Sequence, residues 1–470
     1  MPAVKGGAVE TLLQTFIDKN ESQQDFSLTV ISSSDNNALE KSFEYNETEF
    51  IYLNNQKKSD EIKRMCKKIY RKAILTCFNK SRSTMIYPEM VKKAQEKIKE
   101  NNYDKVLIIS IPEVTLQIRK YFEGEIILYL HNDYLNKTTY NKSSIVNACD
   151  NIFAISEYIK FRVLSIDGSI ESKIKVINNG CDLKKYTPLM IQERNNIRKK
   201  IGISPQDVVV VFSGRLSETK GIYELITAFN RINLNNLKLL VIGGYFYSND
   251  KKNKFIRKLE KKAENGLDNI LFTGYVSSSE IPYLLMSSDI GVVPSIFEEP
   301  SGLSVLEAQA AGLPLITTRV GGIPEIVSEE NSILLDIKDE FVDNLQHSIE
   351  ILALNKKLRK QMGESGKNFV KQYSNENYYE YLKNAIKNEM WYNKKVDPVN
   401  NQVVLFDHLN QQIFEDQLKN VPWTLGVSVS PSVEKVINSY EPFTLQGFSF
   451  INNLTATSFN SEVSWEKMTP

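Results

Sequence analysis

Two glutamates, Glu299 and Glu307, lie eight positions apart in the run FEEPSGLSVLEAQAAGLP. Pro300, Ser301 and Gly302 separate the first from an apolar helical stretch, LSVLEAQAA. A helix opening near Ser301 leaves its first backbone N–H groups without intrahelical partners, and such groups form an anion site. Glu299, just outside that helix, can accept sugar hydroxyls. Glu307, more than a turn inside it, needs a hydrogen-bond donor if it is buried, and ribose hydroxyls would serve. Taken alone, the two read equally as an N-capping acid and an exposed helix glutamate. Upstream, VVVVFSGRLSETKG carries Arg215 and Lys220 just past the carboxyl end of a strand, where open α/β sheets bind ligands. Together they can neutralise a diphosphate, Arg215 as a fork and Lys220 as a point charge. As a lone basic pair, solvated surface cations are the simpler reading. In LYLHNDY, His131 directly follows another strand; the other histidines are His347 and His408. A lone histidine is more often structural than catalytic. Gly6 and Gly7 precede a helix with Val9, Leu12, Leu13 and Phe16 on one side. Paired glycines let a backbone approach a ligand closely, although they usually mark no more than a turn.

The elements that must hold these residues are legible as short Val/Ile-rich runs alternating with helical patterns. In the first half these are FSLTVIS, EFIYL, KVLIISI, EIILYL, NIFAIS and KIKVIN. In the second half they are DVVVVFSG, LKLLVIGG, NILFTG, DIGVVPS and LPLITT. Apolar strands alternating with helices imply parallel sheets covered on both faces. Two such series imply an α/β protein of two doubly wound domains. We place the first over residues 1–180 and the second over 181–390, with the polar segment from Asn178 as linker. From Asp339 to Met390 the pattern is helical only. Residues 391–470, rich in Asn, Ser and Val, form an appendage with no pattern to place.

Length and composition agree. A chain of 470 residues exceeds one ordinary α/β core. Its net charge of +1 gives no global attraction to nucleic acid or lipid. Cys66, Cys77, Cys149 and Cys181 lack metal-binding or redox spacing and read as reduced thiols. The opening MPAVKGGAVE lacks the apolar core of a secretory signal, and no run approaches a membrane span. The expectation is a cytoplasmic protein.

GRLSETKG, FTGYV and EEPSGLSVLEAQAAGLPLITTRVGGIPEIV together resemble the retaining glycosyltransferase family 4. Its signature, two glutamates with seven residues between, fits Glu299 and Glu307. The resemblance covers roughly residues 1–390 and is densest over 205–330. It implies the GT-B fold, two Rossmann-like domains facing across a cleft, and a nucleotide-diphosphate sugar as co-substrate with no further cofactor. By the same resemblance Arg215 and Lys220 bind the donor diphosphate and Glu307 holds the ribose. Glu299, with the backbone of Ser301, Gly302 and Leu303, faces the donor sugar and its phosphate. Tyr275 and Val276 line the base pocket, mainly through backbone atoms. Gly6 and Gly7 meet the diphosphate from the opposite domain, and His131 lies near the donor sugar. One departure stands out: family members carry a strand ahead of the glycine loop, and here the glycines come at positions 6 and 7. The first sheet is therefore expected to lack that strand.

The implied reaction moves a sugar to a hydroxyl with retention of configuration. Charge building on the leaving diphosphate would be met by Arg215, Lys220 and the N–H groups near Gly302. No DxD motif occurs, so no metal site is expected. A covalent role for Glu299, as in retaining glycosidases, is the lesser alternative. The acceptor is read as a glycan or a lipid-linked glycan in bacterial cell-surface polysaccharide assembly. Residues 57–72, dense in Lys and Arg with Ile62, Met65, Ile69 and Tyr70 among them, suit either peripheral contact with the inner face of the membrane or a solvated helix packed on the sheet. The rival readings are a non-catalytic relative acting as a partner or scaffold, and a nucleotide-sugar epimerase on the same fold.

Overall fold

A computed structural model describes residues 7–33, 36–53, 88–244, 254–264, 269–388 and 427–428. Gly6, Cys66, Cys77, the basic segment 57–72 and nearly all of the 391–470 appendage lie outside the described residues.

The second domain is the simpler. Strands β7 (Val208–Ser213), β8 (Leu237–Ile242), β9 (Ile270–Gly274), β10 (Ile290–Val293), β11 (Leu315–Thr318) and β12 (Ser332–Leu335) form one parallel sheet. Their order is β9-β8-β7-β10-β11-β12. The order reverses between β7 and β10, which opens a crevice at their carboxyl ends. Burial explains the sequence pattern: Val209, Val210, Val211 and Phe212 of β7 are at most 2% exposed, because helices cover both faces. β12 was not anticipated, and neither was β13 (Val427–Ser428), which pairs antiparallel with it.

The first domain holds its strands in two ladders. β1 (Leu28–Ser33) pairs parallel with β2 (Thr48–Leu53). β3 (Lys105–Ile109), β4 (Glu125–Leu130), β5 (Asn151–Ala154) and β6 (Ile174–Val176) form a second parallel sheet in that order. Among the described residues no ladder joins β1 to β3. In the second domain β7 occupies the corresponding central place, between β8 and β10. The consequence shows in burial. β4 is buried along nearly its whole length, whereas Val30, Ile31, Val106 and Leu107 are only half-buried. The helix Ala8–Gln23 packs Leu12 and Phe16 into this core.

The chain crosses between the domains twice, and the crossings run side by side. Cys181 N–H donates to Tyr373 O at 2.7 Å, and Asn375 N–H donates to Cys181 O at 3.1 Å. After the second crossing the helix Asn375–Lys387 returns to the first domain. Its Tyr378, Tyr379, Leu382, Ala385 and Ile386 belong to the first core. The sequence boundary of 181–390 assigns this helix to the second domain, and its packing assigns it to the first. Apolar periodicity shows that a helix buries a face, but not which core receives it.

Candidate functional site

The site residues of the second domain collect where β7, β9 and β10 end. β7 runs into Gly214 and Arg215, then a short turn Glu218–Lys220 and the helix Ile222–Phe229. Arg215 is exposed. Gly221 adopts φ +66°, and a Cβ there would sit 1.8 Å from the carbonyl of Pro294. The loop bearing Lys220 is thereby pressed onto the end of β10, and Ile296 N–H donates to Thr219 O at 3.0 Å.

Lys220 Nζ forms an ion pair with Glu299 Oε1 and lies 5.3 Å from the ring centre of Phe297. Ser295 Oγ donates to the same Glu299 oxygen at 2.7 Å. Glu299 is 7% exposed. A carboxylate so deep is stabilised by a cation and a hydroxyl donor. Its Oε2 takes no hydrogen bond among the described residues. Glu299 makes no helix cap, which removes one of its two sequence readings: the helix Leu303–Ala310 begins after Gly302 without a side-chain cap. The Ser301 hydroxyl beside it is buried and has no hydrogen-bond partner. Helix N–H groups with no side-chain cap, and a buried hydroxyl with no protein partner beside an ion pair, suit a ligand that is anionic and rich in hydroxyls.

Glu307 lies inside that helix and is half-buried, not exposed. Burial pushes its carboxyl up to about 7, opposed only by the charge of Lys185. Beyond β9, Tyr275 is 44% exposed and Val276 packs against the second core. The floor between these strands is glycine, which the sequence reading passed over although FSG, VIGG and FTG announce it. Gly214 N–H donates to Ile242 O, and Gly243 N–H donates to Gly274 O. A Cβ on Gly243 would lie 2.0 Å from Gly214 O.

Across the cleft, His131 follows β4 and is 4% exposed. Its backbone N–H donates to Ser110 Oγ at 3.0 Å, and its ring lies 4.2 Å from that of Tyr129, centre to centre. Burial pushes the imidazole down to about 3, so it is neutral. Its Nε2 is buried without a partner. Ser110, at the end of β3, takes φ +52°; a serine held in that region marks local strain beside the histidine. Gly7 is buried and precedes the helix Ala8–Gln23.

The domains touch beside the Glu299 loop. Ser156, two residues past β5, donates from Oγ to Pro300 O at 2.5 Å. Glu325 accepts the N–H groups of Glu157 and Tyr158, both at 2.7 Å. Since Leu130 and Ala154 are register partners, His131 and Ser156 stand at the same edge of the first sheet. The structure therefore brings Lys220, Glu299, Ser301 and Gly302 into one site and sets the His131 edge against it. No helix among the described residues is long and apolar enough to cross a membrane.

Two parallel α/β domains with a crevice at facing carboxyl edges define the GT-B class. Solved structures agree: Anabaena HepE in complex with UDP-glucose superposes with TM-score 0.63 at 18% identity, over 82% of this chain and 97% of that one. The family model of glycosyl transferases group 1 matches residues 193–369. A putative glycosyltransferase of Bacillus subtilis, YtcC, is 30% identical over 339 residues, 70% of this chain and 74% of its own length. The chain belongs to the glycosyl transferases group 1 family. A lipopolysaccharide 1,2-N-acetylglucosaminetransferase of Salmonella typhimurium is 24% identical over 314 residues, 66% of this chain and 78% of its own.

Proposed function

We propose that this protein is a retaining, metal-independent hexosyltransferase of family 4, acting in the cytoplasm on a nucleotide-diphosphate sugar. The observation that carries this reading is the buried, unpartnered Ser301 hydroxyl beside the Lys220–Glu299 pair at the start of the helix Leu303–Ala310. In this reading the diphosphate lies against the N–H groups of Ser301 to Leu303, between Arg215 and Lys220. Those groups stabilise the charge that builds as the glycosidic bond breaks. Glu307 takes the ribose hydroxyls, and the glycine floor with Tyr275 and Val276 takes the base. Glu299 Oε2 and the neutral His131 hold sugar hydroxyls. The acceptor hydroxyl attacks from the face the diphosphate leaves, and a phosphate oxygen takes its proton, so configuration is retained.

The acceptor is a glycan or lipid-linked glycan of a cell-surface polysaccharide. The lipopolysaccharide transferase among the relatives supports that class, and the lysine- and arginine-rich segment 57–72 suits an anionic membrane face. HepE, solved with UDP-glucose, supports a nucleotide-sugar donor. The lack, among the described residues, of a ladder between β1 and β3 favours a second reading, a non-catalytic relative that serves as a partner subunit or scaffold.

Thermal stabilisation by UDP, GDP, dTDP and ADP separates the two. A ligand that binds only the folded state raises the melting temperature. One nucleotide should do so in the wild type, and neither Arg215→Ala nor Glu307→Ala should respond. A well-folded wild type that responds to none of the four supports the partner reading instead.

A further inference from the structure

The contacts between the domains do more than close the cleft. The helix Glu157–Leu164 belongs to the first domain, and its N-terminal cap is shared with the second. Ser156 Oγ accepts from Ile159 N–H at 3.2 Å, an ordinary N-cap. The N–H groups of Glu157 and Tyr158 have no intrahelical partner, and the Glu325 carboxylate takes both. Burial pushes the Glu325 carboxyl up to about 7 against these two donors; in its ionised form it is favoured twice over, through charge-assisted hydrogen bonds and through the helix dipole.

Ser156 passes this contact to the site. Its hydroxyl holds the carbonyl of Pro300, which immediately precedes Ser301. In a trans peptide the carbonyl and the following N–H point in opposite directions. Gripping Pro300 O from the first domain therefore aims the Ser301 N–H to the other side of the loop. The turn before Glu325 braces the same loop from behind. Gly322 N–H donates to Glu299 O at 2.7 Å, and Gly321 N–H donates to Glu298 Oε2 at 2.6 Å. The packing leaves no slack, since a Cβ on Gly322 would lie 2.6 Å from Pro300 O and 3.0 Å from Ser156 Cβ. Tyr373, at the second domain crossing, donates from its hydroxyl to Glu325 O at 3.0 Å. One short segment thus ties together the crossing, the opposite domain and the Glu299–Gly302 loop.

We propose that Glu325 and Ser156 are positioning residues, a clamp across the cleft that sets the Glu299–Gly302 loop in donor-binding geometry only when the domains are closed. The inference rests on the proposed donor site at that loop. Glu325 and Ser156 touch no donor atom in this scheme. They act through the Pro300–Ser301 peptide.

The test uses the full chain with dyes at two exposed positions, Tyr140 in the first domain and Lys357 in the second. Single-molecule energy transfer reports the closed fraction, with and without UDP, GDP, dTDP or ADP. Ser156→Ala, Ser156→Thr and Glu325→Gln are compared with wild type for closed fraction, melting temperature, and kcat and KM of donor turnover. Glu325→Gln should melt close to the wild type, Ser156→Ala should melt lower only by the loss of its helix cap, and both should lose closed population. Each should lose about ten- to a hundredfold in kcat/KM, the weight of hydrogen bonds to a charged group or of a buried hydroxyl. Ser156→Thr keeps the hydroxyl but adds a methyl beside Gly322, so recovery of the closed fraction in it supports the hydroxyl's role. An unchanged closed fraction in both Ser156→Ala and Glu325→Gln overturns the clamp. If no nucleotide binds the wild type while Glu325→Gln still opens the cleft, the clamp stands and the donor reading falls.

Discussion

Glu307 is a carboxyl group whose surroundings favour its protonated form up to near neutral pH. Burial raises it from 4.5 to about 7, and Lys185 offsets only part of the effect. Between those two values the folded protein holds a proton that the unfolded chain has released. Stability contributed here falls as pH rises through that window and is level above it. Glu307→Gln mimics the protonated form. It should melt with the wild type near pH 5 and above it at pH 8. The gap should be about 1–2 kcal/mol, less than the full shift implies because the residue keeps some contact with solvent. Thermal melts across that range check this. A gap of the same size at pH 5 would assign the effect to packing instead of ionisation. The same variant should lose nucleotide binding, because the site that destabilises the carboxylate is the one proposed to use it. His131 behaves oppositely. Its imidazole, held near 3 by burial, should show ring-proton NMR signals that stay fixed between pH 5 and pH 8. A titration midpoint near the ordinary histidine value of about 6.5 would mean that solvent reaches the ring.

At the scale of elements, the turns that deliver the side chains are as constrained as the side chains. Gly221 takes a left-handed φ, and a Cβ would strike Pro294 O. Gly221→Ala should therefore cost about 1–3 kcal/mol in backbone strain and weaken nucleotide binding by displacing Lys220. Gly168→Ala, where a Cβ meets nothing within 4 Å, is the control and should leave both nearly unchanged. The ladders carry their own prediction. Amide exchange should be faster on β1 and β2 than on β4, whose residues are buried and paired on both sides; equal protection would show that β1 and β3 are held by more than their ladders. Eleven strands were legible, most plainly those such as β4 and β7 that are buried on both faces and read as unbroken apolar runs. β12 was not: SILL is short, opens on a serine and follows the polar VSEEN. The glutamate pair was legible through its flanking residues. The clamp was not, because Ser156 reads as an ordinary helix cap and Glu325 as one acid in GGIPEIV. Only folding sets them against elements more than a hundred residues away. For the same reason the cluster of Arg194 and Arg198 on Asp289 could not be read from sequence.

For the whole molecule, the consequential feature is that the helix Asn375–Lys387, after the second crossing, returns to the domain where the chain began. Tyr378, Tyr379, Leu382, Ala385 and Ile386 fill the first core, Lys387 pairs with Asp25 at 2.7 Å, and Tyr379 Oη donates to Asp25 at 2.9 Å. Burying side chains of this size typically stabilises by about 2–5 kcal/mol each, judged by truncation to alanine, against a total domain stability of about 5–15 kcal/mol. A chain ended at Tyr373 should therefore lose the first domain's unfolding transition while the second domain still melts cooperatively. A chain ended at Asn388 keeps every contact of the returning helix and loses only the pairing of β13 with β12 among the described contacts. It should retain both transitions within a few degrees. Calorimetry of the two truncations decides the matter. If both lose the first domain alike, its stability resides in residues beyond 388, and the returning helix is a passenger on that core. If only the shorter chain loses it, the helix is the strap that lets one domain follow the other through opening and closure while its core stays filled.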